Sequence, residues 1–346
     1  MLSVDIRKRF AGFTLDVRFE AEDGVTALLG ASGCGKSVTL RCIAGVLRPD
    51  EGTIYRDGEA LFDRARGVDL PPQKRRVGLL FQNYALFPNM TLRRNIEAGL
   101  GRLPGRAARR ARADELIGGF RLAGLEDRYP HELSGGQQQR AALCRILASE
   151  PKTLLLDEPF SALDNHLKWQ LEREMQETLK RFSGTALLVT HDRGEAFRLS
   201  GRACVMSGGR NEPVVPTEAL FADPRTRTAA LLSGCKNFSA VERRGAEALF
   251  ARDWGAALRA AAAVPERARW LGVRAHHLRF GAASEENAVP VVVTAVTPDL
   301  FSDAYTCVSR GGGELRVELP KAAPGAPQAG QEACVIVPRD AMMLLE

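Results

Sequence analysis

Residues 25–37 read VTALLGASGCGKS, and this stretch decides the class of fold. A short apolar run, typical of a buried strand, leads into G-x-x-x-x-G-K-S, and a helical pattern covers residues 37–47. The glycines let the backbone curl so that successive N–H groups point inward, and the following helix adds the positive end of its dipole. The pattern therefore predicts a cradle for nucleotide phosphates. Its members are Gly30, Ala31, Ser32, Gly33, Cys34, Gly35, Lys36 and Ser37.

Two side chains of this cradle have predicted tasks of their own. Lys36 is expected to reach the β- and γ-phosphates, and the Ser37 hydroxyl to ligate Mg²⁺. Cys34 lies where backbone N–H groups and Lys36 favour a thiolate, so we expect an alkylating reagent to inactivate the protein and MgATP to protect it. A packed thiol that points away from solvent is the alternative.

A second apolar run, residues 154–158, reads LLLDE and ends in two carboxylates. Asp157 falls at the carboxyl end of the predicted strand, where an open parallel sheet binds its ligands, and can hold Mg²⁺. Glu158 is one residue further along and can polarise the water that attacks the γ-phosphate. A strand that ends in Asp-Glu could equally form a structural salt bridge, but its presence beside a phosphate cradle favours catalysis.

The composition excludes several classes of protein. With 346 residues, 45% of them hydrophobic and 26% charged, the chain is typical of a globular protein with room for two domains. The net charge of +6 is small, so we expect no nucleic-acid partner. The densest basic cluster of the chain, residues 106–112, is interleaved with alanines, which favours a solvated helix face. Seven cysteines without a C-x-x-C pair argue against a disulfide scaffold and a zinc site. No apolar stretch approaches the roughly 18 residues that a membrane helix needs, so any membrane role is expected to come through partners.

The pattern of hydrophobic residues changes near residue 235. Before it, short apolar runs at residues 25–29, 78–81, 153–156 and 186–190 alternate with helical patterns, which predicts an α/β domain with a largely parallel sheet over residues 1–235. After it, Leu315, Val317 and Leu319 alternate with charged residues, and residues 289–296 and 305–308 are further strand candidates. We therefore expect a small all-β barrel or sandwich over residues 236–346, although residues 236–280 are hard to place.

Residues 133–137, LSGGQ, precede a helical run at residues 138–147. Small residues at a helix start leave N–H groups and a hydroxyl free to hold a phosphate, but a plain helix cap explains Ser134 equally well. Five segments, in identity and order, resemble the nucleotide-binding subunits of ABC transporters. They are the cradle, Gln82 after a strand, LSGGQ, LLLDE and His191 after another strand. The resemblance covers roughly residues 1–235, and LSGGQ is nearly diagnostic of that family. It implies an ATPase that binds ATP and Mg²⁺, with a helical subdomain carrying the LSGGQ signature.

The resemblance also implies roles for individual residues. Gln82 is similar to the residue that senses Mg²⁺ and the attacking water, and His191 to the switch histidine that contacts the γ-phosphate. Residues 161–164, which include Asp164, resemble the loop that crosses the dimer interface. The signature residues Ser134, Gly135, Gly136 and Gln137 resemble the group that grips the nucleotide held by the other subunit. Where many members stack adenine on a tyrosine, this chain offers Phe10, with Phe13 as the alternative.

Residues 72–78, PQKRRVG, and 81–88, FQNYALFP, resemble bacterial and archaeal import ATPases, and the C-terminal region resembles their oligomer-binding-fold appendage. The compressed N-terminus, in which few residues separate Phe10 from Val25, is most similar to that of molybdate and sulfate importers. Residues 273–277, VRAHH, are similar to the same importers. This implies a homodimer at the cytoplasmic face of the cell membrane, joined to integral membrane permease subunits and served indirectly by an extracytoplasmic solute-binding protein.

The sequence leaves alternatives for the permease contact, the solute and the class of protein. Residues 83–95 are expected to form the socket for the permease, because Tyr84, Leu86, Phe87 and Met90 are apolar in an otherwise exposed stretch; they could instead close the protein's own core. The solute could be a sugar, a polyamine or iron rather than an oxyanion. A non-transport ABC protein in translation or DNA repair, and a binding module with a relic ATP site, are the alternatives from other classes.

Overall fold

The computed structural model describes residues 1–161, 165–321 and 323–346, which divide into two units, Met1–Glu218 and Ala219–Glu346. The strands of the first unit are β1 (Leu2–Phe10), β2 (Phe13–Ala21), β3 (Gly24–Gly30), β4 (Glu51–Arg56), β5 (Glu59–Asp63), β6 (Val68–Asp69), β7 (Val77–Leu80), β8 (Thr153–Asp157), β9 (Thr185–Thr190), β10 (Arg202–Ser207), β11 (Arg210–Asn211) and β12 (Val215–Pro216). Its helices are α1 (Lys36–Ala44), α2 (Leu92–Gly99), α3 (Arg106–Gly119), α4 (Gly135–Ala148), α5 (Asn165–Arg181) and α6 (Arg193–Leu199), and α7 (Thr217–Ala222) spans the division. Short 3₁₀ turns occupy Pro72–Lys74 and Pro130–Glu132.

The described strands of the first unit form one sheet of mixed direction. Its order is β6-β5-β4-β1-β2-β11-β10-β3-β9-β8-β7, with β12 paired to β10. The strands from β10 to β7 are parallel, whereas those from β6 to β2 are antiparallel. Every residue of β8 and β9 is buried, as expected of parallel strands covered on both faces. The α/β prediction is confirmed, and the carboxyl ends of β3, β9, β8 and β7 lie side by side along one edge.

A helical subdomain is inserted between β7 and β8. Its helices α2, α3 and α4 enclose a small core of their own, formed by Leu92, Ile96, Ala113, Ile117, Ala141 and Cys144 with their neighbours. Residues 106–112 form the first two turns of α3, and all of them except the half-buried Arg109 are exposed. The predicted solvated helix face is therefore confirmed.

A buried arginine holds the phosphate-cradle helix to the sheet. Arg75 donates from Nη1 to the carbonyls of Cys42 and Ile43, 2.8 and 2.9 Å away, at the end of α1. Its Nη2 donates to Asp69 at 2.9 Å. Because these bonds satisfy carbonyls that a helix end leaves unpaired, Arg75 stabilises the far end of the helix that begins at Lys36.

The second unit is all-β apart from α8 (Arg227–Leu232), part of α7 and 3₁₀ turns at Ala275–His277 and Arg339–Ala341. Its strands are β13 (Asn237–Arg243), β14 (Ala248–Ala251), β15 (Ala256–Arg259), β16 (Trp270–Val273), β17 (Arg279–Gly281), β18 (Ala288–Pro298), β19 (Ser302–Ser309), β20 (Glu314–Pro320), β21 (Glu332–Ile336) and β22 (Met343–Leu345). They form two sheets, β15-β14-β13-β16-β22 and β17-β21-β18-β19-β20, which contribute to one shared core. The predicted small β domain is confirmed, and the stretch that sequence could not place supplies β13–β17.

Two further findings concern the helices and the cysteines. Within the described ranges, no helix is both long and apolar enough to span a bilayer. All seven cysteines are free, and Cys334 is the one that is not buried. The functional domain limits of 1–235 and 236–346 remain a proposal.

Candidate active site

The four strand ends that lie side by side deliver the predicted site residues to one place. The phosphate cradle follows β3, Asp157 ends β8, and Glu158 comes next. His191 follows β9, and Gln82 lies just beyond the end of β7. Since ligands of open α/β sheets bind outside the carboxyl ends of the strands, this edge is the candidate active site.

The cradle between β3 and α1 requires glycine at two positions. Gly35 has a φ of +109°, and a Cβ there would lie 2.6 Å from Leu15 Cδ1 and 3.1 Å from Phe13 Cζ. At Gly30 a Cβ would lie 2.4 Å from the carbonyl oxygen of Met206. Gly35 also serves as the N-cap of α1 and offers no side-chain acceptor to the helix. The first-turn N–H groups of α1 can therefore face an anion.

Lys36 is held inside this loop. Its Nζ donates to the carbonyls of Gly30 at 2.8 Å and Ala31 at 3.0 Å, and the residue is 4% exposed. The same Nζ lies 4.0 Å from Glu158 Oε1. The ammonium group is thus fixed between the cradle and the predicted catalytic carboxylate.

Ser37 and Asp157 form the candidate Mg²⁺ site. The Ser37 hydroxyl donates to Asp157 Oδ1 at 2.7 Å. Burial raises the pKa of Asp157 and the neighbouring charge of Glu158 raises it further, while the bond from Ser37 opposes them. No group of three His, Cys, Asp or Glu side chains that could hold a metal occurs among the described residues. One hydroxyl and one carboxylate nevertheless fit Mg²⁺, which keeps several waters and uses few protein oxygens.

Glu158 occupies a constrained position beyond β8. Its φ is +44°, in the left-handed region, and its N–H donates to the carbonyl of Val189 at 3.0 Å. Its Oε1 lies 3.3 Å from His191 Nδ1. A non-glycine residue with positive φ costs free energy and often marks a functional position. Here that backbone geometry places the carboxylate between Lys36 and His191.

Gln82 is connected to the same cluster through a hydroxyl. Its Nε2 donates to Ser161 Oγ at 3.1 Å, and Ser161 Oγ donates to the carbonyl of Glu158 at 3.0 Å. The side chain that follows β7 is thus linked by two hydrogen bonds to the residue that follows β8.

The signature residues begin α4. Ser134 is the N-cap: its hydroxyl accepts from Gln137 N at 3.4 Å, and Gln137 Oε1 accepts from Ser134 N at 2.9 Å. Gly135 is the first residue of α4, and a Cβ on Gly136 would come within 3.1 Å of Leu171 on α5. The helix-cap interpretation of Ser134 is confirmed, while a role in gripping a phosphate stays a prediction.

Comparison with known proteins identifies the family. The profile described as ABC transporter matches residues 15–161. A spermidine/putrescine import ATP-binding protein of Pseudomonas aeruginosa is 36% identical over 342 residues, which make up 96% of this chain and 90% of that protein. The chain belongs to the ABC transporter family. The resemblance inferred from the five sequence segments is therefore confirmed.

Two further comparisons each cover about two thirds of the chain. A molybdenum import ATP-binding protein of Paramagnetospirillum magneticum is 43% identical over 227 residues, covering 66% of this chain but only 62% of that relative's length. The solved dimeric structure of the ATP-binding cassette MJ0796, in a post-hydrolysis state bound to ADP and Pi, is 27% identical with a TM-score of 0.54. It covers 63% of this chain and 99% of that one. The ABC ATPase fold is thereby established.

The remaining predicted positions are Asp164, Phe10 and its alternative Phe13. Asp164 lies outside the described residues. Phe10, at the end of β1, is 41% exposed, and its ring centroid lies 6.1 Å from that of Phe13. Phe13 packs against Gly35 of the cradle and against the core. The exposed ring of Phe10 is the one open to a ligand, and its stacking on adenine stays a prediction.

Sequence reasoning missed the residues that surround His191. Asp192 caps α6, Glu195 lies in its first turn, and Lys168 of α5 contacts both carboxylates. The pattern Asp-x-x-Glu directly after an apolar strand is a helix-start signal that could have revealed the first two. Lys168 had no such signal, because its partners are 24 and 27 residues away.

Proposed function

We propose that this chain is the ATP-hydrolysing subunit of an ABC importer. The observation that carries the proposal is the meeting, at adjacent strand ends, of the Lys36 cradle, the Ser37–Asp157 pair and the Glu158–His191 pair. These groups supply what phosphoryl transfer to water requires, namely phosphate binding, charge neutralisation and an oriented nucleophile.

The residues divide the task among themselves. The N–H groups of the cradle and Lys36 bind the phosphates and stabilise the negative charge on the transferring phosphoryl group in the transition state. Glu158 accepts a hydrogen bond from the attacking water and orients it, and His191 holds the Glu158 carboxylate from the other side. Mg²⁺ held by Ser37 and Asp157 would neutralise further charge on the phosphates, and Gln82, linked to Glu158 through Ser161, would sense the metal.

The test of this proposal is Mg²⁺-dependent ATP hydrolysis by the purified chain. Glu158→Gln should lower turnover by about 10²- to 10⁴-fold, the contribution of a positioned general base, and should leave ATP binding intact. Glu177→Gln is the matched control, because it makes the same carboxylate-to-carboxamide change at an exposed position of α5. This variant should hydrolyse ATP at the wild-type rate. Turnover of Glu158→Gln close to that of the control would remove Glu158 from this role.

We further propose that the subunit acts as a homodimer at the cytoplasmic face of the cell membrane, attached to permease subunits. The support is the family, the dimeric solved relative and the exposed apolar side chains Phe87 and Met90, 45% and 37% exposed. Tyr84 is not part of that surface, because it is 5% exposed and belongs to the core, and Leu86 packs against the same core. The expected socket of residues 83–95 is thus reduced to its outer members.

The solute we propose is a tetrahedral oxyanion, molybdate or tungstate first and sulfate second. It rests on the resemblance of the compressed N-terminus and of residues 72–78, 81–88 and 273–277, and a molybdenum import protein is among the relatives. A polyamine is the alternative to an oxyanion, since the relative aligned over 96% of the chain is named for spermidine and putrescine. Uptake of labelled molybdate, sulfate and putrescine by cells lacking this subunit separates them. Loss confined to putrescine would overturn the oxyanion proposal and leave the ATPase proposal standing.

A further inference from the structure

Lys168 joins α5 to the turn that carries His191. It lies in the first turn of α5, and its Nζ is 2.7 Å from Asp192 Oδ2 and 2.6 Å from Glu195 Oε1. The bond to Asp192 is a direct charge-assisted hydrogen bond. One ammonium group therefore bridges two carboxylates from the segment that follows β9.

Those two carboxylates fix the backbone on both sides of His191. Asp192 Oδ1 accepts from the N–H groups of Gly194 at 2.7 Å and Glu195 at 3.2 Å. Glu195 Oε2 accepts from Thr190 Oγ1 at 2.5 Å, and the same Oγ1 accepts from Asp192 N at 2.9 Å. Thr190 before the histidine and Asp192 after it are thus locked into one network that Lys168 completes.

The charges of this network depend on one another. Burial works against the charge on Lys168, but the hydrogen bonds to Asp192 and Glu195 outweigh it, so that the pKa of Lys168 is raised. Burial likewise disfavours charge on Asp192, yet Lys168 and the backbone donors leave its pKa lowered. Glu195 is buried, and Lys168 is the cation that faces it. Without Lys168 the two carboxylates would lose the cation that contacts both of them, which favours a shift of the turn or protonation of one carboxyl.

We propose that Lys168 is a positioning residue for His191, setting the place of the imidazole beside Glu158. This deepens the proposed ATPase function and rests on it. His191 Nδ1 is 3.3 Å from the Glu158 carboxylate, so a shift of the turn changes the group that holds the predicted general base. Because α5 starts directly after residues 161–164, Lys168 also links His191 to the helix that follows the predicted interface loop.

The first measurement is steady-state ATP hydrolysis by Lys168→Met, which nearly keeps the length of the side chain and removes its charge. We expect kcat to fall by roughly ten- to a hundredfold, the effect of displacing a catalytic group, with KM for ATP nearly unchanged. Lys168→Arg should recover most of the activity. Arg173→Met, on the exposed side of the same helix with its guanidinium over the Trp169 ring, is the control and should match the wild type. A loss of kcat that Lys168→Arg does not recover would overturn the proposal.

The second measurement is a double-mutant cycle with His191→Ala. If Lys168 acts through the histidine, Lys168→Met should lower kcat no further once His191 is gone. Losses that multiply would overturn the proposal, because Lys168 would then act elsewhere.

The third readout does not depend on turnover. In the NMR spectrum of chain labelled at histidine Cε1, the resonance assigned by His191→Gln should shift in Lys168→Met and stay in place in Arg173→Met. An unmoved resonance would overturn the positioning role even in an inactive preparation. A wild-type chain without ATPase activity would instead overturn the proposed function, so the two failures are distinguishable.

Discussion

At Asp157, burial favours the protonated carboxyl, whereas binding of Mg²⁺ requires the carboxylate. The carboxylate must be ionised to ligate Mg²⁺, but its burial and the adjacent Glu158 raise its pKa, so protonation competes with the metal at a higher pH than at an exposed aspartate. We expect Mg²⁺-dependent ATP binding to weaken as the pH falls towards that raised pKa. Asp157→Asn should weaken Mg²⁺ binding by roughly ten- to a hundredfold at neutral pH, the loss of one charged ligand, and reduce this pH dependence.

Asp157→Asn, which should weaken Mg²⁺ binding, should at the same time stabilise the ligand-free fold. A carboxyl with a raised pKa in the folded state binds protons more readily folded than unfolded, so it contributes stability as the pH falls through the range between the two pKa values. At neutral pH its charge destabilises the ligand-free fold. Thermal unfolding without Mg²⁺ should therefore give Asp157→Asn a higher midpoint than the wild type, and a clearly lower midpoint would contradict this assignment.

Cys34 shows how a position read from sequence can mislead. The sequence predicts a reactive thiol inside the cradle, but the residue is 7% exposed and packs in the main hydrophobic core. We now expect iodoacetamide at pH 8 to modify Cys34 far more slowly than Cys334, the cysteine that is not buried. Burial raises the pKa of Cys42, Cys144 and Cys204 to about 12, so these thiols should also react only after unfolding. Peptide mass spectrometry after timed labelling checks this order, and rapid modification of Cys34 would restore the original expectation.

At the scale of elements, the segment beyond Gln82 separates into a buried and an exposed part. Tyr84 is in the core, and its hydroxyl has no hydrogen-bond partner among the described residues. Phe87 is exposed, with the guanidinium of Arg145 4.9 Å from its ring centroid. Tyr84→Phe should therefore be neutral or stabilising, since it removes a buried polar atom that lacks a partner.

Phe87→Glu should abolish transport by the assembled importer and spare the ATPase activity of the isolated subunit. The reason is that an exposed apolar side chain contributes little to the fold but much to a protein contact. Solute uptake in cells and ATPase assays on the purified chain, with Tyr84→Phe as the folding control, separate these effects. A Phe87→Glu chain that fails to fold would place Phe87 in the core instead.

The elements that sequence identified are those with a strong local pattern. Strands β3, β8 and β9 are continuous apolar runs, and the helical run predicted over residues 138–147 lies within α4, Gly135–Ala148. By contrast, β14 to β17 are three or four residues long, too short for a period of two to show. The left-handed backbone of Glu158 was also beyond prediction, because it depends on a bond to Val189 in a neighbouring strand.

At the scale of the whole molecule, motif order sufficed for the family, and four of the five motifs meet because each lies at the end of a parallel strand; the LSGGQ signature instead begins α4. Contacts distant in sequence carried no such signal. Lys168 reaches across to Asp192, and Arg75 reaches back to Cys42 at the end of α1. Both pairs depend on how helices pack on the sheet, which local patterns do not encode.

The proposed homodimer makes a prediction that only the whole molecule can test. If the signature of one copy closes on ATP bound by the cradle of the other, Glu158→Gln should form a stable dimer with saturating MgATP, because the nucleotide stays unhydrolysed. Adding Ser134→Arg should keep that variant monomeric while ATP binding per chain is unchanged, since Lys36 and the cradle are intact. A cation at this position replaces the cap of α4 with a long side chain, so circular dichroism must first show that the helix content is retained. Light scattering after size exclusion gives the mass, and a dimer that survives Ser134→Arg would exclude the signature from the interface.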